Sequence, residues 1–170
     1  MKKIIILIIP LIIYVVLSSY FTKNNVIPAN AIRIRILANS NRIEDQELKI
    51  KVKENLEPYL YQLLIDNKNV EEAKLSIINN MHNIKKNIED TLQNRIDYKI
   101  NFGKNYFPTK EYKGIVYEEG YYDSLLITLG NGLGDNWWCV LFPPLCLLEG
   151  QDYSDVEYTT FVQELIDRYF

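Results

Sequence analysis

The stretch MHNIKKNIEDTLQNRIDYKINF, Met81–Phe102, decides the fold. Its first half sets Met81, Ile84, Ile88 and Leu92 three or four residues apart, on one face of a helix. Its second half alternates: Ile96, Tyr98, Ile100 and Phe102 take one side, and Asp97, Lys99 and Asn101 the other. A helical period that gives way to a strand period predicts an α+β domain.

Upstream, the pattern stays helical. Val70, Ala73 and Ile77 extend the apolar stripe backward, and Asn69 with Glu72 has the spacing of a capping box. Before it, Leu48, Val52, Leu56, Tyr59, Leu60, Leu63 and Leu64 recur at helical spacing, with i,i+4 pairs Asp45–Lys49 and Glu47–Lys51. Asn41 and Glu44 repeat the capping-box spacing, and Pro58 predicts a kink or a split into two helices. IRIRILA, Ile32–Ala38, predicts a strand with its isoleucines inward and Arg33 and Arg35 on a solvated face. Downstream, Gly103–Pro108 reads as a turn, Tyr112–Tyr117 as a short strand, and Ser124–Leu129 as a strand entering a glycine loop. Ser154 reads as the cap of a last helix whose apolar side is Tyr158, Phe161, Val162, Leu165 and Ile166. Strands grouped in the second half predict an antiparallel sheet of about four strands, with two long helices packed on one face.

The N-terminus has another character. Lys2 and Lys3 precede an apolar run, Ile4–Leu17, broken only by Pro10. That is the layout of a secretory signal or anchor helix. The expected organisation is a signal or anchor over residues 1–21, a linker over 22–31, and a single extracytoplasmic domain over 32–170. Apart from Lys2 and Lys3, the chain carries 17 basic and 22 acidic residues, so 17 − 22 = −5. An acidic domain without a basic stripe argues against nucleic-acid binding.

The stretch GNGLGDNWWCVLFPPLC, Gly130–Cys146, holds the chain's only two tryptophans and only two cysteines. Its glycines predict unusual backbone angles or close approach, and Pro143–Pro144 excludes a helix interior or a central strand. The expectation is a shaped apolar loop. Adjacent tryptophans in an extended segment point opposite ways, which puts one ring near a surface, where it suits partner binding. Asn136, Trp137, Trp138, Phe142, Pro143 and Pro144 are the candidate partner-binding residues. Cys139 and Cys146 are either a disulfide or two buried thiols. Seven positions span roughly 23 Å when extended, so a bridge requires the chain to double back to within about 7 Å. Pro143–Pro144 is where it could do so, through a cis bond.

Catalytic signatures are sparse. With His82 as the single histidine, neither a serine triad nor a His-rich metal site is supported, and no P-loop is present. No cofactor, metal or small-molecule substrate is expected, and the chain does not read as an enzyme. Two alternatives stand beside the binding module: a secreted thiol hydrolase using Cys139 with Asp135 or His82, and a membrane-surface domain anchored by its tryptophans.

Three stretches carry a resemblance: RIRILANSNRIEDQELKIKVK at Arg33–Lys53, FPTKEY at Phe107–Tyr112, and LITLGNGLGDNWWCVLFPPLC at Leu126–Cys146. Together they resemble the stage II sporulation protein R family over roughly Ile32–Glu149. Leu147 and Leu148 depart from it, where an aromatic and a branched residue are expected. The resemblance implies a signalling ligand, not an enzyme. It implies export across the forespore membrane into the space between forespore and mother cell. It also implies activation there of a membrane-embedded sporulation aspartic protease, which processes pro-sigma-E in the mother cell.

Overall fold

The computed structural model describes residues 27–112, 115–145 and 155–169. The segment expected to be a signal or anchor, 1–21, lies outside these residues, as do Ser154 and Cys146. Among the described residues, no helix is long and apolar enough to cross a membrane.

The chain is α+β. In order it runs β1 (Ile32–Leu37), α1 (Ile43–Leu64), α2 (Val70–Asn79), α3 (Met81–Leu92), β2 (Tyr98–Phe107), β3 (Lys110–Tyr112), β4 (Ile115–Tyr117), β5 (Gly120–Leu129), β6 (Asn136–Phe142) and α4 (Asp155–Tyr169). The main sheet has four strands in the order β2-β5-β1-β6, and β3–β4 is a separate hairpin. The sheet is mixed, not purely antiparallel. β1 runs parallel to β5, with Ile34 beside Leu125 and Ile36 beside Ile127. It runs antiparallel to β6 on its other side, and β2 and β5 pair antiparallel. Periodicity records which residues share a face, not the direction of the neighbour. The helices between β1 and the later strands supply the long connection a parallel pair needs.

The apolar stripes read from sequence meet under the helices. Val52, Leu56, Leu60 and Leu64 of α1, Ala73 and Ile77 of α2, and Ile84, Ile88 and Leu92 of α3 pack with Ile32, Ile34 and Ile36 of β1, and Leu125 and Ile127 of β5. Each such Val, Leu or Ile side chain stabilises the fold by roughly 1.5–3 kcal/mol on burial. Two helical expectations are narrowed. Of the kink or split expected at Pro58, the split does not occur: Pro58 lies inside an unbroken α1, and the stripe of buried residues runs past it. The stripe from Val70 to Leu92 is shared by two helices, because the chain breaks at Asn80, whose side-chain amide donates back to the Ser76 carbonyl (2.9 Å). The Asn69 cap forms as expected: its Oδ1 accepts from the Glu72 amide (3.0 Å).

The strands run longer than their sequence signals. β2 continues through Gly103 to Phe107, where a turn was expected, because ten cross-strand pairs with β5 hold it extended. The expected strand at Tyr112–Tyr117 contributes to the hairpin β3–β4. A second apolar cluster occupies the face of the sheet opposite α1–α3, built from Ile27, Ala31, Tyr117, Val140, Val162 and Leu165. Both faces of β1 are therefore covered, and the expected solvated face is not solvated: Arg33 is 0% exposed.

Candidate functional site

NWWCVLF, expected as loop, is strand β6 at one end of the sheet. The prolines still obey their rule, since the strand stops at Phe142 and the Phe142–Pro143 bond is cis. Strand geometry sends the two tryptophans to opposite faces. Trp137 packs against the helix-side core. Trp138 packs on the other face, edge-on to Tyr117 (5.0 Å between centroids) and Phe107 (6.2 Å). Both rings are half-buried and Asn136 is exposed, while Phe142, Pro143 and Pro144 are buried. The candidate residues thus divide into a rim, Asn136–Trp138, and a buried base.

Trp137 lines an apolar pocket between α1 and β6. Ile34, Ile36 and Leu56 line it with Trp137 and Pro144, and Lys53 lies 5.2 Å from the indole centroid. The pocket's free interior, about 20 Å³, holds no more than a water-sized group.

The glycine loop ahead of β6 is held by backbone and side-chain groups of the β1–α1 connection. The Gly134 amide donates to the Ala38 carbonyl (2.9 Å), and the Leu133 amide to the Asn39 carbonyl (3.1 Å). Asn39 Oδ1 accepts from the Asn131 amide (3.0 Å), and Asn41 Oδ1 from the Asp135 amide (2.6 Å). Asn41 is therefore spent on the loop instead of capping α1, whose cap position is Arg42 without a side-chain bond. Beneath them Lys49, only 6% exposed, donates to the Asp135 carbonyl (3.0 Å) and to Gln46 Oε1 (2.6 Å). Burial pushes its ammonium below the ordinary lysine range, against the opposing Asp135 charge. Sequence periodicity placed Lys49 on a solvated pair with Asp45; what it could not show is that Asp45 turns to Ser40 and Asn39 instead.

Those two bonds, 2.6 Å from Ser40 Oγ and 2.9 Å from Asn39 Nδ2, hold the Asp45 carboxyl below the usual carboxylate range. A depressed folded pKa means the contribution is present above the unfolded value and is lost as pH falls through the folded one. The clamp is expected to hold at neutral pH and to loosen only below about pH 4. Protection of the Asn131 and Asp135 amides, relative to their intrinsic exchange at the same pH, should fall there, and Asp45→Asn should lower it already at neutral pH. Equal exchange in Asp45→Asn and the parent chain would remove Asp45 from the clamp.

Cys139 is buried and disulfide-bonded, so it offers no thiolate. Cys146, the other cysteine in the sequence, lies outside the described residues. His82 is exposed on α3, and Asp135 is engaged in the loop clamp. Among the described residues, no group of three or more His, Cys, Asp or Glu could hold a metal ion.

A small α+β domain with a clamped glycine loop feeding a tryptophan-bearing end strand is the class these features define. The sequence profile described as stage II sporulation protein R matches residues 28–152, and the chain belongs to that family. It is 43% identical over 135 residues to the stage II sporulation protein R of Bacillus subtilis (strain 168), a match covering 78% of this chain. The chain spans 59% of that relative's length. No solved structure matches it.

Proposed function

We propose that the protein is an exported sporulation signal that switches on a membrane-embedded aspartic protease, whose activity releases sigma factor E from its precursor. Family membership across residues 28–152 carries this reading. Its consistent supports are the basic-then-apolar N-terminus, the bridged Cys139 suited to an oxidising compartment, and the lack of a free thiol there. The protein acts from the space between forespore and mother cell, released or held at the membrane by its N-terminal segment. In this reading Asn136 and Trp137 meet the protease at the mouth of the apolar pocket. Phe142 and Pro143 fix the end of the strand, and Cys139 is bridged to Cys146.

The test is precursor processing in sporulating cells carrying Trp137→Ala or Trp138→Ala, scored beside the amount of exported protein. Trp137→Ala is expected to leave export intact and to lower processing about tenfold, the effect of losing one interface anchor. Trp138→Ala is expected to lower the protein level, because its ring is wedged against Tyr117 and Phe107. Normal processing in Trp137→Ala would move the signalling surface off this strand.

A further inference from the structure

Among the described residues, the face of β1 away from α1–α3 gathers cations without counter-ions. Arg33 is 0% exposed, its Cζ 3.4 Å from the Tyr122 ring centroid and within 6 Å of Phe107, Tyr117 and Trp138. Its Nη2 donates at 3.4 Å to the Glu118 carbonyl, a long contact, while Nε and Nη1 have no partner. Arg35, two residues on and on the same face, also has a buried Nε with no partner. Arg35 stands beside Trp138 in the β1–β6 register. Lys110 Nζ is 5.2 Å from the same indole. Among the described residues none of the three cations pairs with a carboxylate.

A guanidinium taken out of water with its donors unmade is costly, and ring contacts offset only part of that cost. Burial accordingly lowers the pKa of both arginines, Arg33 against the opposing influence of Tyr122 and Tyr117. In a chain of net charge −3, three cations collected on one tryptophan are a local exception.

We infer that Arg33, Arg35 and Lys110 form a receptor for a carboxylate carried by an acidic segment of a protein partner, with Trp138 as its platform. Arginine forks match the planar carboxylate, taking both oxygens at once. Exposed Lys110 and half-buried Arg35 give entry, and Arg33 lies beneath, its weak bond to Glu118 the one to be exchanged. The aromatic walls suit apolar neighbours of the acid. A nucleic acid would need a longer basic stripe. The site stands on this geometry and does not rest on the protease reading.

The experiment titrates the full ¹⁵N-labelled chain, in neutral detergent, with acetyl-Glu-Glu-Glu-amide, its all-Gln counterpart and inorganic phosphate at equal ionic strength. The arginine Nε–Hε resonances and tryptophan fluorescence are followed. Saturable movement of the Arg33 and Arg35 signals with the Glu peptide at millimolar concentration is expected, with a clearly weaker response to phosphate and none to the Gln peptide. Affinity should fall about tenfold in Arg35→Gln and in Lys110→Gln, whose melting curves verify folding, and should return only in part in Arg35→Lys, which keeps the charge and loses the fork. No saturable response to the Glu peptide overturns the proposal, and an equal response to phosphate reduces the site to a general anion patch. It is also overturned if the resonances start in an ion-paired position and shift only when Glu149, Asp152, Asp155 and Glu157 are changed to amides. The counter-ion would then be the chain's own. Peptide binding can fail while precursor processing persists, so the two readings fail separately.

Discussion

Gly134→Ala is expected to lower the unfolding free energy by about 3 kcal/mol, the upper part of the range for overpacking. A methyl at this position would land against the Ser40 backbone carbonyl and 3.0 Å from Ala38 Cβ. Backbone cannot rotate aside as a side chain can. Nor can the loop back away, because the Gly134 amide is already bonded to the Ala38 carbonyl at 2.9 Å. Relief therefore means opening the clamp, which frees Asp135 from Asn41 and Lys49 and lets Asn136 and Trp137 lose their placement. Two glycines calibrate the effect. Gly132→Ala carries a φ of +66° and meets the Thr128 methyl, a movable group, so the left-handed backbone sets its cost at about 1–2 kcal/mol. Gly103→Ala meets nothing nearer than Asn101 Nδ2 at 3.6 Å and should stay within about 0.5 kcal/mol. Urea midpoints at unchanged m-value would rank the three. A Gly134→Ala protein as stable as Gly103→Ala would mean that the loop does not press on Ser40.

The helices were legible because their burial is one-sided: Val52, Leu56, Ile77, Ile84 and Ile88 carry the stripe and all are buried. β1 was legible for its isoleucines and misleading for its arginines. Alternating Arg looks solvated, and only the hairpin and α4 on the far face show why Arg33 is enclosed. β6 was missed for a related reason. Its burial on both sides leaves no alternation to read, and the prolines just past its end suggested a loop. The antiparallel expectation failed because β1 and β5 lie far apart in sequence, and no local pattern encodes their direction. At the site, the glycines and tryptophans announced themselves, but the clamp did not. Asn39, Asn41 and Lys49 each look like ordinary helix-start or helix-surface residues until a loop about ninety positions away is brought onto them.

Phe142→Ala carries the second large effect, about 3–5 kcal/mol, the range for removing a buried aromatic ring from a core. Phe142 was a candidate contact for a partner, yet it is 0% exposed in the cluster under α1–α3. Its ring also stands edge-on to Tyr169 of α4, 4.8 Å between centroids at 65°. It therefore ties the end of β6 to the terminal helix, and its removal should loosen both. Phe142→Leu keeps most of the volume and should cost less than about 1.5 kcal/mol. A double-mutant cycle with Tyr169→Ala should return about 0.5–1.5 kcal/mol of coupling, the value of an aromatic pair beyond its area. On the proposed signalling reading, the phenotype in sporulating cells should differ from that of Trp137→Ala: Phe142→Ala should lose the exported protein itself, and processing should fail because little folded protein arrives. If Phe142→Ala instead melts normally and is exported in full while processing stops, Phe142 is a contact after all. The division of this strand into an exposed rim and a buried base would then have to be redrawn.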